Sequence, residues 1–127
     1  MHAWTKDGNP AEHPEPWGLH GAFTTLRRFA CGHLPFREDY LDRLLDSANR
    51  IGANWIPSKK ELSDRLEEFL AGQSESFDGL IRICLFDGLL GISSRLALSD
   101  GNPVTGRLLE YRRPVPLAKS TGEARLY

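Results

Sequence analysis

Three arginines stand out as residues that could bind an anionic ligand. Arg27 and Arg82 lie in segments with the residue pattern of β-strands, and Arg43 lies in a segment with the pattern of a helix. A guanidinium group stays protonated at all working pH values, and its planar fork can donate two parallel hydrogen bonds to a phosphate or a carboxylate. The chain therefore carries groups suited to a phosphorylated or carboxylated small molecule.

Ordinary explanations exist for two of these arginines. Arg43 could pair with Asp39, four residues earlier, on a solvated helix face, an interaction that contributes only a few tenths of a kcal/mol. Arg27 could face water on an edge strand, because strand alternation alone does not tell which face is covered. The residues themselves leave both alternatives open.

Arg82 poses a different problem because its neighbours in the sequence are almost all apolar. A buried charge without a partner costs several kcal/mol. Arg82 is therefore expected either to face a ligand cleft or to be compensated by a carboxylate such as Asp78 or Glu110.

Other chemical sites are not indicated. The four histidines lie in predicted loops without the spacing of metal ligands, and glycine-rich phosphate-binding fingerprints are absent. Cys31 and Cys84 lack metal-type spacing and are expected to be free thiols. The sequence predicts no metal site.

The elements that must position the arginines can be predicted from periodicity. Alternation favours a strand over residues 22–29, with Phe23, Thr25 and Arg27 on one face. A turn around Gly32 should lead into a short strand over residues 34–36.

Helical spacing predicts a helix over residues 37–51, and the capping box Ser58/Glu61 predicts a second that ends at Gly72. The remaining predicted elements follow the second helix: a buried strand over 80–86, a strand or irregular arm over 92–98, a turn over 100–103 and a last strand over 107–113. This order predicts an α+β fold, with an antiparallel sheet of about four strands and two helices packed on one face.

Length and composition predict one globular domain with two extensions. The chain has 127 residues, of which 40% are hydrophobic and 26% charged, close to the average for soluble domains. Residues 1–20 are rich in proline and predict an extended arm, residues 21–115 the domain, and residues 116–127 a tail or an interdomain linker.

Charge and hydropathy narrow the expected surroundings of the protein. The formal net charge of −1 gives no general attraction to nucleic acid or an anionic membrane. No stretch approaches the roughly 18 apolar residues needed to cross a bilayer. The sequence therefore predicts a soluble, cytoplasmic protein without nucleic-acid or membrane partners.

Two motifs within residues 18–115 resemble the N-terminal small domain of the class IV aminotransferases. Gly21-Ala-Phe-Thr-Thr-Leu-Arg27 is similar to that family's Gly-x-Phe-Glu-Thr-x-Arg, and Tyr40-Leu-Asp-Arg-Leu44 is similar to its His-Leu-x-Arg-Leu. The family has pyridoxal-phosphate fold type IV and includes branched-chain and D-amino-acid aminotransferases and aminodeoxychorismate lyases. The Thr-Thr pair is closest to the lyases, and Tyr40 departs from the usual histidine.

The resemblance implies a role for each candidate residue. Arg43 corresponds to the arginine that holds the phosphate of pyridoxal phosphate. Phe23, Thr25 and Arg27 correspond to residues on the substrate side of the cofactor, and Arg82 to an arginine that points into the same cleft. All four of these are expected to contact substrate.

The resemblance also implies half of an active site. Complete enzymes of the family are longer and carry their cofactor-linked lysine in a large domain that has no visible counterpart here. Lys119 has small neighbours but falls at the linker, so no catalytic residue is assigned, and the chain alone is expected to be inactive and to bind no pyridoxal phosphate. We expect a homo-oligomer or a large-domain partner, and the alternative function is a non-catalytic dimerisation or interaction module.

Overall fold

The computed structural model describes residues 1–12, 16, 19–97, 103–108, 110, 118, 119 and 121. Four strands and two helices follow one another as β1 (His2–Thr5), β2 (Gly21–Arg28), α1 (Arg37–Ile51), α2 (Lys59–Ala71), β3 (Gly79–Phe86) and β4 (Leu89–Leu96). The strands form one antiparallel sheet in the order β1-β4-β3-β2. The predicted α+β fold with a four-stranded sheet is confirmed.

Both helices have the bounds that their local signals predict. Helix α1 ends where Gly52 takes a left-handed conformation with φ of 67°, which a glycine adopts without steric cost. At the start of α2, the Ser58 side chain accepts a hydrogen bond from the backbone N–H of Glu61 at 3.1 Å. The first backbone N–H groups of a helix have no acceptor within the helix, and this bond gives one of them an acceptor.

The core lies between one face of the sheet and the two helices. It contains apolar side chains from all four strands and both helices: Trp4, Ala22, Leu26, Leu41, Leu44, Ala48, Leu62, Leu66, Phe69, Ile81, Ile83, Leu85, Leu90 and Ile92. Because these strand residues alternate with those of the opposite face, the helices cover one face of the sheet. We call the face opposite the helices the outer face.

The short strand predicted over residues 34–36 is wrong. Its turn is correct, since Gly32 has φ of 88° and the backbone N–H of Phe29 donates to the carbonyl of His33 at 3.0 Å. Pro35 has no N–H for a ladder, and Phe36 is left-handed, with φ of 57°. These two residues end the extended chain before α1.

The fourth strand comes from the N-terminus instead of residues 107–113. Strand β1 pairs antiparallel with β4, from His2 opposite Ile92 to Thr5 opposite Leu89. Residues 107, 108 and 110 lie in no strand, and 109 and 111–113 fall outside the described residues, as do 100–102 of the predicted turn. The burial of Ala3 and Trp4 explains why β1 lies at the β4 edge of the sheet.

Strand β4 begins earlier than predicted because β3 and β4 are joined by a two-residue hairpin. Asp87 and Gly88 have φ of 49° and 72°, the conformation of the tight turns that match strand twist. Among the described residues, no helix is long and apolar enough to cross a membrane.

Candidate ligand-binding face of the sheet

Strand register places several predicted site residues in one row on the outer face. Thr25 of β2 lies opposite Arg82 of β3, and Arg82 lies opposite Ser93 of β4. Phe23 lies two residues from Thr25 on the same face of β2, since side chains of a strand alternate. The shared face of Phe23 and Thr25 follows the predicted strand alternation, and the pairing of β2 with β3 adds Arg82 to it.

Arg27 lies at the end of this face and is occupied by protein groups. Its guanidinium forms an ion pair with Asp78, donates to the carbonyl of Gly79 at 3.1 Å and lies 4.4 Å from the centroid of the Phe29 ring. Asp78 is therefore the partner of Arg27, whereas the sequence suggested it as one for Arg82. These contacts hold the charge of Arg27 at the edge of the sheet.

Arg82 is half-buried at the centre of the outer face and lines a small pocket. The pocket has a volume of about 70 Å³, and its lining comes from β2, β3 and β4: Thr25, Leu80, Arg82, Ser93, Ser94 and Arg95. Arg95 is exposed. Sequence reasoning missed Arg95 because the bounds of β4, and hence its register, were uncertain.

Arg43 is exposed on α1 and does not pair with Asp39. Among the described residues it forms no ion pair or hydrogen bond. Ser47 lies one helical turn farther on the same side of α1, and its hydroxyl accepts a hydrogen bond from the backbone N–H of Lys119 at 3.1 Å. A helical turn rises about 5.4 Å, so the backbone at Lys119 passes close to the side of α1 that carries Arg43.

Lys119 lies at the edge of β2 that faces away from β3. Its carbonyl accepts a hydrogen bond from the backbone N–H of Phe23 at 3.1 Å, and its Nζ lies 4.6 Å from the centroid of the Phe23 ring. Two buried neighbours, Ala118 and Thr121, hold the segment, and the hydroxyl of Thr121 donates to the carbonyl of Leu19 at 2.7 Å. Because Phe23 belongs to the outer face, the amine lies beside that face.

The candidate site residues Arg43 and Arg82 lie on opposite sides of the sheet, near β2. Helix α1, which carries Arg43, lies on the inner side, and Arg82 lies on the outer side. Lys119 lies at the β2 edge between these two sides. Arg43 and Arg82, which the resemblance implies at one cleft, thus lie on opposite sides of the sheet.

The fold is similar to that of an enzyme whose structure has been solved. An aminotransferase from Brucella abortus, in a crystal structure bound to the cofactor PLP, is similar with a TM-score of 0.57 and 15% sequence identity. The similarity covers 79% of this chain and 44% of the aminotransferase. The chain thus spans less than half of that enzyme, and at this identity the similarity shows the fold alone. No family model and no curated protein sequence matches the chain.

Proposed function

We propose that this chain is the small domain of a pyridoxal-phosphate enzyme of the kind represented by class IV aminotransferases and aminodeoxychorismate lyases. In this proposal the β2 edge and the outer face form one wall of the cofactor site. The observation that carries the proposal is the position of the Lys119 amine, 4.6 Å from the Phe23 ring, in a fold similar to that of a PLP-bound aminotransferase.

Arg43 is the residue proposed to bind the cofactor phosphate. Its guanidinium is exposed and has no carboxylate partner among the described residues, so a phosphate would not have to displace one. An arginine fork matches phosphate oxygens with charge-assisted hydrogen bonds. The donor chemistry at this edge of the sheet therefore fits the phosphate.

Lys119 is the residue proposed to hold the cofactor aldehyde through its primary amine. Bound pyridoxal phosphate supplies an electron sink for a substrate carbanion. A lysine at the cofactor can also take or return the proton at the substrate α-carbon. This assignment departs from the family resemblance, which implies that the lysine lies in a large domain and which gave this chain no catalytic residue. It rests on the contacts of Lys119 with Phe23 and Ser47.

A second domain is proposed to complete the site. Support comes from the length of the similar aminotransferase, of which the matched region covers 44%. A two-layer domain that presents half-buried polar residues, such as Thr25 and Arg82, on the sheet face opposite its helices suits a cleft formed with another domain or subunit. In this view the chain by itself binds the cofactor weakly.

The phosphate assignment can be tested with a matched pair of ligands. Pyridoxal phosphate and 5-deoxypyridoxal, neither of which can close to an internal hemiacetal, differ in the phosphate, so the concentration that gives half-maximal borohydride-fixed modification of Lys119 measures the contribution of the phosphate. Charge-assisted hydrogen bonds of this kind are worth about tenfold in affinity. We expect pyridoxal phosphate to be the better ligand by about that factor, and Arg43→Gln to remove the difference without changing the value for 5-deoxypyridoxal.

Arg50→Gln is the control for this experiment. Arg50 lies on the same helix and pairs with Asp46 at 2.8 Å, so its substitution changes the net charge equally and leaves Arg43 in place. Equal modification by the two ligands, or a phosphate preference that survives Arg43→Gln, would show that Arg43 is not the phosphate ligand.

A non-catalytic interaction module is the second candidate function. It is favoured by exposed apolar side chains near the ends of the elements, with Phe36 72% and Leu96 61% exposed. Such residues on a small domain often mark an interface. The same surface could serve a dimer in either function, so association and cofactor binding must be measured separately.

A further inference from the structure

Both backbone polar groups of Lys119 are bound, and each is bound by a different element of the fold. The carbonyl accepts a hydrogen bond from the backbone N–H of Phe23 in β2 at 3.1 Å. The N–H donates to the Ser47 hydroxyl on α1 at 3.1 Å, across 72 positions of the chain. Because neither group can leave its partner without losing a hydrogen bond, the main chain at Lys119 is held relative to both the sheet and the helix.

Thr121 gives the same part of the chain a second attachment. Its side chain is fully buried, and its hydroxyl donates to the carbonyl of Leu19 at 2.7 Å, two residues before β2 begins. A buried hydroxyl is costly unless it is hydrogen-bonded, so this bond compensates for the burial. On the other side of Lys119, Ala118 is also buried. We call Ala118, Lys119 and Thr121 the docked segment.

The contact between the Lys119 amine and the Phe23 ring is too weak to place the amine by itself. Nζ lies 4.6 Å from the centroid of the ring, but the Lys119 side chain is only half-buried. A cation–π contact contributes little where water competes for the cation, and a lysine side chain has a flexible aliphatic stem. The position of the amine therefore depends on where the main chain of the docked segment is held.

The hydroxyl contacts of the docked segment differ from the contacts of a surface lysine. Lys59 forms ion pairs with Glu38 and Asp42, and these carboxylates raise its pKa. An amine must be unprotonated to attack an aldehyde. Ser47 and Thr121 instead hold the main chain beside the amine through neutral groups, which restricts its position without pairing a carboxylate with it.

We propose that Ser47 and Thr121 are positioning residues for the Lys119 amine. Their hydroxyls hold the docked segment against α1 and the start of β2, and this places the amine beside the ring of Phe23. Both residues act through the main chain and not on the reacting atoms. An amine that is already held in place has less freedom to lose when it reacts. The proposal rests on the proposed function for the reaction in which the amine takes part.

Hydrogen exchange at the Phe23 amide measures how often the docked segment leaves β2, since this amide donates to the Lys119 carbonyl. Ser47→Ala and Thr121→Val each remove one hydroxyl and nearly preserve the size of the side chain. We expect each to speed exchange at Phe23 about tenfold, the effect of losing one buried hydrogen bond. Thr121→Ser, which keeps the hydroxyl, should stay within about twofold of the unaltered chain.

Ser63→Ala is the matched control for these variants. Ser63 is also a helical serine whose hydroxyl accepts a hydrogen bond, from Arg37 at 2.8 Å, but it lies on α2. Its substitution weakens the fold without removing a contact of the docked segment. Because the Phe23 amide exchanges through local opening, a loss of general stability alone should leave its exchange rate unchanged.

The position of the amine is measured separately, by NMR of the full chain with carbon-13-labelled lysine. Protons above an aromatic ring are shielded, so the ε-methylene signal of Lys119 should lie upfield of the signals of the other lysines. Lys119→Arg identifies this signal by its absence. In the double variant Ser47→Ala/Thr121→Val the displacement should be largely lost, because two losses of about tenfold weaken docking about a hundredfold. Ser63→Ala should preserve the displacement.

Two results would overturn the proposal: unchanged exchange at Phe23 in both single variants, or a Lys119 signal that stays displaced in the double variant. Pyridoxal phosphate is absent from both measurements and is added only in a last comparison, of borohydride-fixed label at Lys119 and Lys60. If Lys119 is positioned as proposed but gains no preferential label, the proposed function is wrong and the positioning assignment stands. A preferential label that persists in the double variant would contradict the positioning assignment alone.

Discussion

The four lysines of the chain differ in how readily their amines should react with an aldehyde. Asp42 and Glu38 accept hydrogen bonds from Lys59 at 2.8 and 2.9 Å and raise its pKa. Asp64 raises the pKa of Lys60 in the same way. A higher pKa leaves less unprotonated amine at a given pH, so both surface lysines should react slowly. The extent to which Lys59 and Lys60 are modified is therefore a reference for the modification of Lys119.

Individual residues also show what the sequence could and could not predict about the site. The shared face of Thr25 and Phe23 followed from strand alternation, a local property. The pairing of Arg27 with Asp78 required the register between β2 and β3, and the position of Lys119 required contacts with Phe23 and Ser47, far away in the chain. Such contacts leave no trace in local periodicity.

Elements with strong local signals were predicted with nearly correct bounds, and those that depend on sheet edges were not. Helix α1 has an amphipathic repeat and a terminal glycine, and α2 has its capping serine. Strand β1 has only four residues, and its pairing with β4 spans almost the whole chain length. A short strand with a distant partner is stabilised by burial of Ala3 and Trp4, which sequence pattern alone does not reveal.

Gly79, the first residue of β3, tests how closely this end of the strand packs against β4. A Cβ there would overlap the carbonyl oxygen of Arg95 and lie 2.6 Å from the Phe77 ring. The Arg95 carbonyl belongs to the backbone of β4 and can move only if the strand shifts. We therefore expect Gly79→Ala to lower the free energy of unfolding by about 1–3 kcal/mol. Urea denaturation monitored by circular dichroism measures this change.

Gly72→Ala is the matched control. Gly72 ends α2 with right-handed helical angles, φ −84° and ψ −6°, and an added Cβ would make only an ordinary 3.5 Å contact with the Phe69 carbonyl. This substitution should raise the unfolding free energy by about 0.4–1 kcal/mol, through the entropy of the unfolded chain. The packing argument fails if Gly79→Ala is as stable as Gly72→Ala.

Taken as a whole, the described molecule has one helical layer on a single sheet, and its outer face carries the half-buried Thr25 and Arg82 beside the buried Cys84 and Phe86. We expect the chain to self-associate, since Phe29, Phe36 and Leu96 are all exposed and exposed large apolar side chains often belong to interfaces. Sedimentation at micromolar concentration should give a species of twice the 14.3 kDa chain mass. A single 14.3 kDa species would speak against association.

The most direct test of the proposed cofactor site is the location of covalent modification in the full chain. The protein is incubated with limiting pyridoxal phosphate, reduced with borohydride, digested and mapped by mass spectrometry across Lys6, Lys59, Lys60 and Lys119. The position of the Lys119 amine beside Phe23, together with the raised pKa values of Lys59 and Lys60, predicts that Lys119 carries most of the label. Label spread evenly over the four lysines, or a Lys119 that stays unmodified, would contradict a pyridoxal-phosphate site at this edge of the sheet.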